Sequence, residues 1–452
     1  MTNFTTINRR ITGIRTFFSF KSKTTPKPST TTTTTPKETP LLWKPDNSSS
    51  SSSNDTISLQ LLSWGRGSSG QLGIATEKTL IYPTPVFSLL VPPSFCISPS
   101  PGSLSPRNSS FEVGISCGLF HSAAFVDGQL WVWGKGDGGR LGLGHENSVF
   151  VPTLNPHLNC VKSLALGGLH SVALTSLGQV GYGGFGALGH TVYTRELVPR
   201  LVEGSWKEKI KHISTSGTHT AAITESGDLY TWGREEGDGR LGLGPGRGPD
   251  QAGGLSVPSK VNALSFPVAA VACGGFFTMA LTEEGRLWSW GANSNYELGT
   301  GDKVGGWKPR LVSGLEDVRI VQVACGGYHS LALTEGGKVL SWGHGGHGQL
   351  GHSSNKNQKV PTLIEALVDE HVISIACGGS TSAAVTETGK LFMWGNAKDS
   401  QLGVPGLPEI NPSPVEVNFL MEDDGLGPHN VLSVAVGASH AMCLVSRSSC
   451  SE

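Results

Sequence analysis

Cysteine and histidine stand at ligand-like intervals in this chain. Cys117 precedes His121 by four residues, and Cys325 precedes His329 by the same distance, a spacing that can bring a thiolate and an imidazole onto one zinc ion. His344, His347 and His352 crowd a single glycine-rich stretch. Gly134-Lys135-Gly136-Asp137-Gly138-Gly139 has the glycine density of a loop that wraps phosphate, but lacks the lysine–serine ending that completes such a cradle. Serine is abundant, yet no nucleophile-elbow motif stands out. Arg234, Glu235, Glu236 and Asp238 form a charged turn, and they are the candidate partner-binding residues, with a solvated turn as the plainer alternative.

The metal reading fails once the positions are compared. His121, His170, His219, His329 and His440 occupy one place in a repeating unit that reads like Ala-Cys-Gly-Gly-x-His-Ser-x-Ala-Leu. Residues on separate repeats cannot converge on one ion, so these imidazoles are expected to be buried and hydrogen-bonded to backbone. Cys117, Cys273, Cys325 and Cys377 recur in the same way and read as small buried strand residues. No catalytic, cofactor or metal site is expected, and the chain reads as a non-enzyme.

The second half of the unit is a strand ending in Trp-Gly, followed by a loop ending in Leu-Gly. Trp-Gly begins at Trp64, Trp133, Trp232, Trp290, Trp342 and Trp394, and Leu-Gly at Leu72, Leu141, Leu188, Leu241, Leu298, Leu350 and Leu402. Trp290, Trp342 and Trp394 lie 52 residues apart. Within one unit, Val321–Cys325, His329–Thr334 and Val339–Trp342 are apolar runs, the last two joined by the turn Glu335-Gly336-Gly337-Lys338. So small a sheet cannot bury both faces alone, whereas sheets stacked radially can. The expected fold is therefore all-β, a seven-bladed β-propeller over residues 57–446. The tryptophans are assigned to packing between sheets. The chain enters the repeats with a Trp-Gly half at Ile57–Gly65 and leaves them with a histidine half at Val431–Val445. Pairing of these two terminal strands would complete the last blade and close the ring, removing exposed sheet edges. The 62 glycines suit such a turn-dense architecture.

Charge divides the chain. Residues 1–37 carry seven basic residues and no acid, and the remainder carries 27 basic against 35 acidic residues, a net of −8. The basic, hydroxyl-rich start reads as a mitochondrial transit peptide over residues 1–25, with plastid or dual import as the alternative. A disordered Thr/Ser/Pro-rich linker over 26–56 and a disordered tail over 447–452 are expected. The net negative charge disfavours direct RNA binding by the ring. No run of 18 apolar residues occurs, so no membrane insertion is expected.

Three departures stand out. Gly178-Gln179-Val180-Gly181 lacks the Trp of its unit, and aligning Gly181 with Gly134 implies a strand three residues short, either a weakened blade or a sequence error. Two loops are long, around Leu90–Ser110 and Gly244–Gly254.

The Trp-Gly…Leu-Gly order and the 52-residue period differ from the other propeller repeats. They resemble the regulator-of-chromosome-condensation repeat family from Ile57 to about Val445. Gly134–Gly144, Gly181–Gly189, Gly233–Gly248 and Ser341–Gly351, together with the leader, are similar to a plant mitochondrial branch of that family. That branch is associated with splicing of transcripts for respiratory complex I (NADH dehydrogenase) subunits. The resemblance implies a monomeric protein-interaction platform in the mitochondrial matrix, with splicing factors or a small GTPase as partners. It also raises an alternative, guanine-nucleotide exchange on a small GTPase, with the Leu90–Ser110 loop as a steric wedge. The tryptophan-bearing segments of the ultraviolet-sensing plant members are replaced here by Gly327-Tyr328-His329-Ser330 and Gly275-Phe276-Phe277-Thr278.

Overall fold

A computed structural model describes residues 39–44, 56–100, 102–104, 111–176, 178–183, 187–190, 195–245, 255–420 and 427–447. The expected transit peptide and all of the tail beyond Arg447 lie outside these residues.

The unit is best seen in its most regular copy. Ile320–Cys325, His329–Thr334, Val339–Gly343 and Gln358–Leu363 form a four-stranded antiparallel sheet in that order. Its middle strands are apolar on both faces because each face meets a neighbouring sheet. Thus Ile320, Val323, Ala332 and Trp342 pack against Met279, Leu281 and Leu287 of the preceding sheet. The fourth strand is the outer edge, and Pro361 within it removes a backbone donor. Pro152, Pro199, Pro258, Pro309 and Pro414 hold the same place on other outer strands. Proline is tolerated there, and it blocks strand addition from another chain.

Among the described residues the strands make seven sheets. Six come from continuous stretches of sequence. The seventh is composite: Ile57–Gly65 pairs with Leu80–Val91 on one side and with His440–Ser446 on the other. The junction runs from Leu59 opposite Ser446 to Gly65 opposite His440, the expected pairing of the chain's two ends. The inner strands, among them Glu112–Cys117, Val161–Leu166, Ile210–Thr215 and Asn430–Val436, pack successively round a closed β-propeller. Leu41–Trp43, placed in the linker by composition, is instead a short parallel strand beside Ser88 and Leu89. The Leu-Leu-Trp run explains it: the Trp43 ring meets Phe111 edge-on at 4.8 Å.

The altered unit also corrects an expectation. Gly178–Gly183 is a six-residue strand, not a shortened one. Tyr182 stands opposite Ser171 and Gly183 opposite His170, the register that Trp133 and Gly134 hold opposite Ser122 and His121. The missing length therefore falls in the loop, since Leu188 follows Gly183 by five residues where Leu141 follows Gly134 by seven. A ladder of paired strands holds its register through many hydrogen bonds, so a deletion is cheaper in the loop. No helix among the described residues is long and apolar enough to cross a membrane.

Candidate functional site

The repeated residues meet at the seams between sheets. In each seam with a tryptophan, the indole Nε1–H donates to the carbonyl just before the Leu-Gly of the preceding sheet. Trp133 reaches Gln71 at 3.0 Å, Trp342 reaches Glu297 at 2.9 Å, and Trp394 reaches Gln349 at 2.9 Å. Trp64 reaches Gln401 across the ring junction at 2.9 Å. The same carbonyl usually accepts a second hydrogen bond from a hydroxyl. Ser122 donates to Gln71 at 2.9 Å, Ser330 to Glu297 at 3.1 Å and Ser382 to Gln349 at 2.8 Å. The Leu-Gly glycine lies under the indole: a Cβ on Gly403, whose φ is +69°, would stand 2.8 Å from Trp64 Nε1.

The histidines bond to these hydroxyls rather than to backbone, which corrects the expectation for their partners. His121 Nε2 lies 2.8 Å from Ser171 Oγ, His170 Nε2 2.8 Å from Thr220 Oγ1, and His329 Nε2 2.9 Å from Ser382 Oγ. His219 meets Thr278 at 3.0 Å, and His440 meets Ser122 at 2.9 Å. Each hydroxyl gives its proton to a carbonyl, so it must accept from Nε2–H. That fixes the neutral Nε2–H tautomer. Burial then holds the imidazoles far below their usual range, to about 4 for His170 and His440 and about 3 for His219 and His329. The glycine three residues earlier makes room for the ring, since a Cβ on Gly326 would lie 2.2 Å from His329 Cε1. Ser216 takes that place once, and its hydroxyl is 2.7 Å from His219 Nδ1. These residues are braces. Among the described residues no group of three or more metal-ligating side chains comes together.

The inner strands enclose a central channel. Gly274-Gly275, Gly326-Gly327 and Gly378-Gly379 ring one mouth, here called the glycine face. Behind them Cys117, Cys273, Cys325 and Cys377 line the wall. Burial pushes the Cys117 and Cys273 thiols up to about 12, so they are protonated and poorly nucleophilic. The seven described cysteines are all free. The opposite mouth is crossed by part of the long Leu90–Ser110 loop. Cys96 and Ile97 pair with Glu112 and Val113. Farther on, the Gly102 carbonyl accepts from Val323 N at 2.9 Å, and Leu104 N donates to the Val321 carbonyl at 2.9 Å. The strap thus ties the inner strand of one sheet to that of a sheet well round the ring, and residues 105–110 lie outside the described part.

The charged turn follows Trp232 on the glycine face. Glu235 is buried, its carboxylate accepting from the backbone N of Gly237, Gly239 and Leu241 at 3.1, 2.8 and 3.2 Å. Burial raises its pKa. Asp238 holds the buried Arg240, Nε to Oδ1 2.9 Å. Only Arg234 and Glu236 of the four present substantial charge to solvent, paired with each other at 2.7 Å. The sequence did not point to a different cluster on this face. Tyr328 is 41% exposed and stacks on Phe276, with centroids 5.4 Å apart and an interplanar angle of 27°. His344 and His347 continue the group. The signal was present in the Gly-Gly-x position, which carries Phe276 and Tyr328 on adjacent units.

A closed ring of sheets, braced at its seams by Trp-Gly, Leu-Gly and His-Ser elements, defines a repeat propeller. The sequence profile of the RCC1-like domain matches residues 60–443, and the chain belongs to that family. It is 69% identical over 402 residues to the RCC1 domain-containing protein RUG3, mitochondrial, of Arabidopsis thaliana, covering 87% of this chain and 90% of that protein. It is 32% identical to the ultraviolet-B receptor UVR8 of the same plant, covering 81% and 79% of the two chains. Yeast RCC1 (Prp20), solved bound to Kap60, superposes with a TM-score of 0.71 at 22% identity, covering 87% of this chain and 89% of that one, a likeness of fold.

Proposed function

We propose that this protein is a non-enzymatic interaction platform of the mitochondrion that supports splicing of transcripts for NADH dehydrogenase subunits, and so complex I biogenesis. The observation that carries this is the 69% identity, over nearly the whole length of both chains, to a mitochondrial RCC1-domain protein. The basic, acid-free residues 1–37 agree with import. Chemistry at the repeats has little support, because their histidines are neutral and hydrogen-bonded at the seams and their thiols are protonated. Partners are therefore sought on the loops of the rigid ring. The test is loss of the protein in cells that make it, followed by the ratio of spliced to unspliced mitochondrial transcripts for these subunits. An unchanged ratio, with the intact precursor tagged and found outside mitochondria, overturns the proposal.

Nucleotide exchange on a small GTPase is the second reading. The expected wedge is weakened by the strap, since residues 96–98 and 102–104 are tied to inner strands rather than projecting from the ring. Acceleration of nucleotide release from an organellar GTPase by the purified protein would restore it.

A further inference from the structure

The net negative charge beyond residue 37 speaks against the ring as a whole holding a polyanion, but one sector departs from that balance. Residues 339–364 contain two lysines, three histidines and no acid. Lys303 and Lys359 stand over the Tyr296 ring at 5.0 and 5.9 Å, and neither makes an ion pair among the described residues. Tyr296 borders the Tyr328 group, because Gly343 lies between the Tyr328 carbonyl and the Cα of Glu297. On the glycine-face loops of the two preceding sheets the described acids are already occupied. Asp302 binds Arg310 through two bonds of 2.9 and 2.7 Å, and Glu297 is buried against the backbone N and side-chain amide of Asn295. Asp238 holds Arg240, whose guanidinium lies 4.7 Å from the Phe276 ring.

Exposed rings beside unpaired lysines are the two components of a surface that binds single strands: bases stack on aromatic faces while ammonium groups track phosphates. We propose that this sector of the glycine face binds single-stranded nucleic acid. Bases stack at Tyr328 and His347, and phosphates meet Lys303 and Lys359. An acidic peptide would satisfy the lysines but would leave the stacked Phe276–Tyr328 pair without a planar partner. The proposal goes beyond the platform function and stands apart from it, since it concerns the purified protein alone.

The experiment is fluorescence anisotropy of the full chain with labelled 12-nucleotide oligouridylate and oligothymidylate across a salt series. Because the basic leader is common to every variant, differences between variants report the ring. Lys303→Gln/Lys359→Gln is expected to weaken binding at least tenfold and to lower the log K against log salt slope by about 1.4. Tyr328→Ala is expected to weaken binding by roughly 5- to 100-fold with the slope unchanged, and Tyr328→Phe to restore it. Lys207→Gln/Lys209→Gln, the same charge change elsewhere, should alter binding less than about twofold. Thermal melting of each variant checks that it folds. Equal binding by all variants, or displacement by polyglutamate as readily as by unlabelled oligonucleotide, overturns the proposal. RNA and DNA arms that behave alike support it as a stacking surface, and a preference for one names the natural strand.

Discussion

Replacing Trp342 by alanine tests the seam directly. The indole is fully buried, its Nε1–H donates to Glu297, and it lies against Gly299, where a Cβ would stand 2.7 Å from Nε1. Burying about 200 Å² of indole contributes up to ~5 kcal/mol, and Trp→Ala in a packed core costs about 3–5 kcal/mol. The Glu297 carbonyl keeps its bond from Ser330 Oγ, so loss of the indole leaves no unpaired acceptor, and the cavity dominates the cost. With about 2.1 cal/mol/K of unfolding entropy per residue over a ring of this size, each kcal/mol moves the melting midpoint by roughly 1.2 °C. The expected fall is therefore about 4–6 °C by calorimetry or circular dichroism. Trp342→Phe keeps most of the volume and loses only the donor, so it should fall by about half as much or less. A midpoint for Trp342→Ala within about 1 °C of the parent would refute the seam assignment, and equal losses for the two variants would refute the dominance of the cavity.

Acid should weaken the ring through its histidines. Their folded pKa values lie below the unfolded one, so the unfolded chain binds more protons beneath pH 6.5 and stability declines as pH falls toward 4. The loss is on the order of 3 kcal/mol per imidazole over that window. Histidine NMR should show the five seam rings still neutral at pH 5.5, and any of them titrating near 6.5 would contradict the tautomer assigned above. Gly403→Ala forces a Cβ against Trp64 at a left-handed backbone position, and should lower the melting midpoint by several degrees, whereas Gly406→Ala, which has the same backbone sign but open space, should cost less. Deleting residues 1–65 removes the strand that joins the two ends, and soluble folded protein should be lost; deletion through Lys44 removes, of the described strands, only Leu41–Trp43 and should leave a folded ring by circular dichroism.

What could be read in the sequence follows from how each feature is encoded. Strands such as His329–Thr334 were legible because both faces are buried and the repeat shows the same pattern many times. Closure was legible because the first and last half-units are complementary. The register of Gly178–Gly183 was not, because counting back from Leu188 assumes a constant loop length, and the loop absorbed the deletion. The histidine partners were also missed, although a hydroxyl follows four of the five histidines, at Ser122, Ser171, Thr220 and Ser330. Ser122, Ser171 and Thr220 each meet the histidine of the preceding sheet, not the one beside them in sequence. A contact between repeats is invisible when each repeat is read alone. Glu235 was misjudged for a related reason: its charge suggested solvent, while three backbone N–H groups of its own turn enclose the carboxylate.

The braces bear on where function can reside. Trp, His, Ser and the Leu-Gly carbonyl are hydrogen-bonded across seams, and their copies are equivalent round the ring, so none of them can distinguish one partner from another. Three seams lack the full set: Tyr182 stands where the other sheets have tryptophan, Phe277 replaces the histidine in a second sheet, and Thr381 with Ala441 leaves a third seam without the imidazole–hydroxyl bond. The third is filled instead by a large apolar cluster including Leu62, Met393, Val434 and Cys443, so the seam beside the composite sheet rests on hydrophobic packing and the Trp64 bond. Recognition must then come from what differs between copies. On the glycine face that is the Phe276–Tyr328–His344 group with its neighbouring lysines, and on the other face the strap of residues 96–100 and 102–104. A rigid ring with unequal sectors presents these two surfaces in fixed positions.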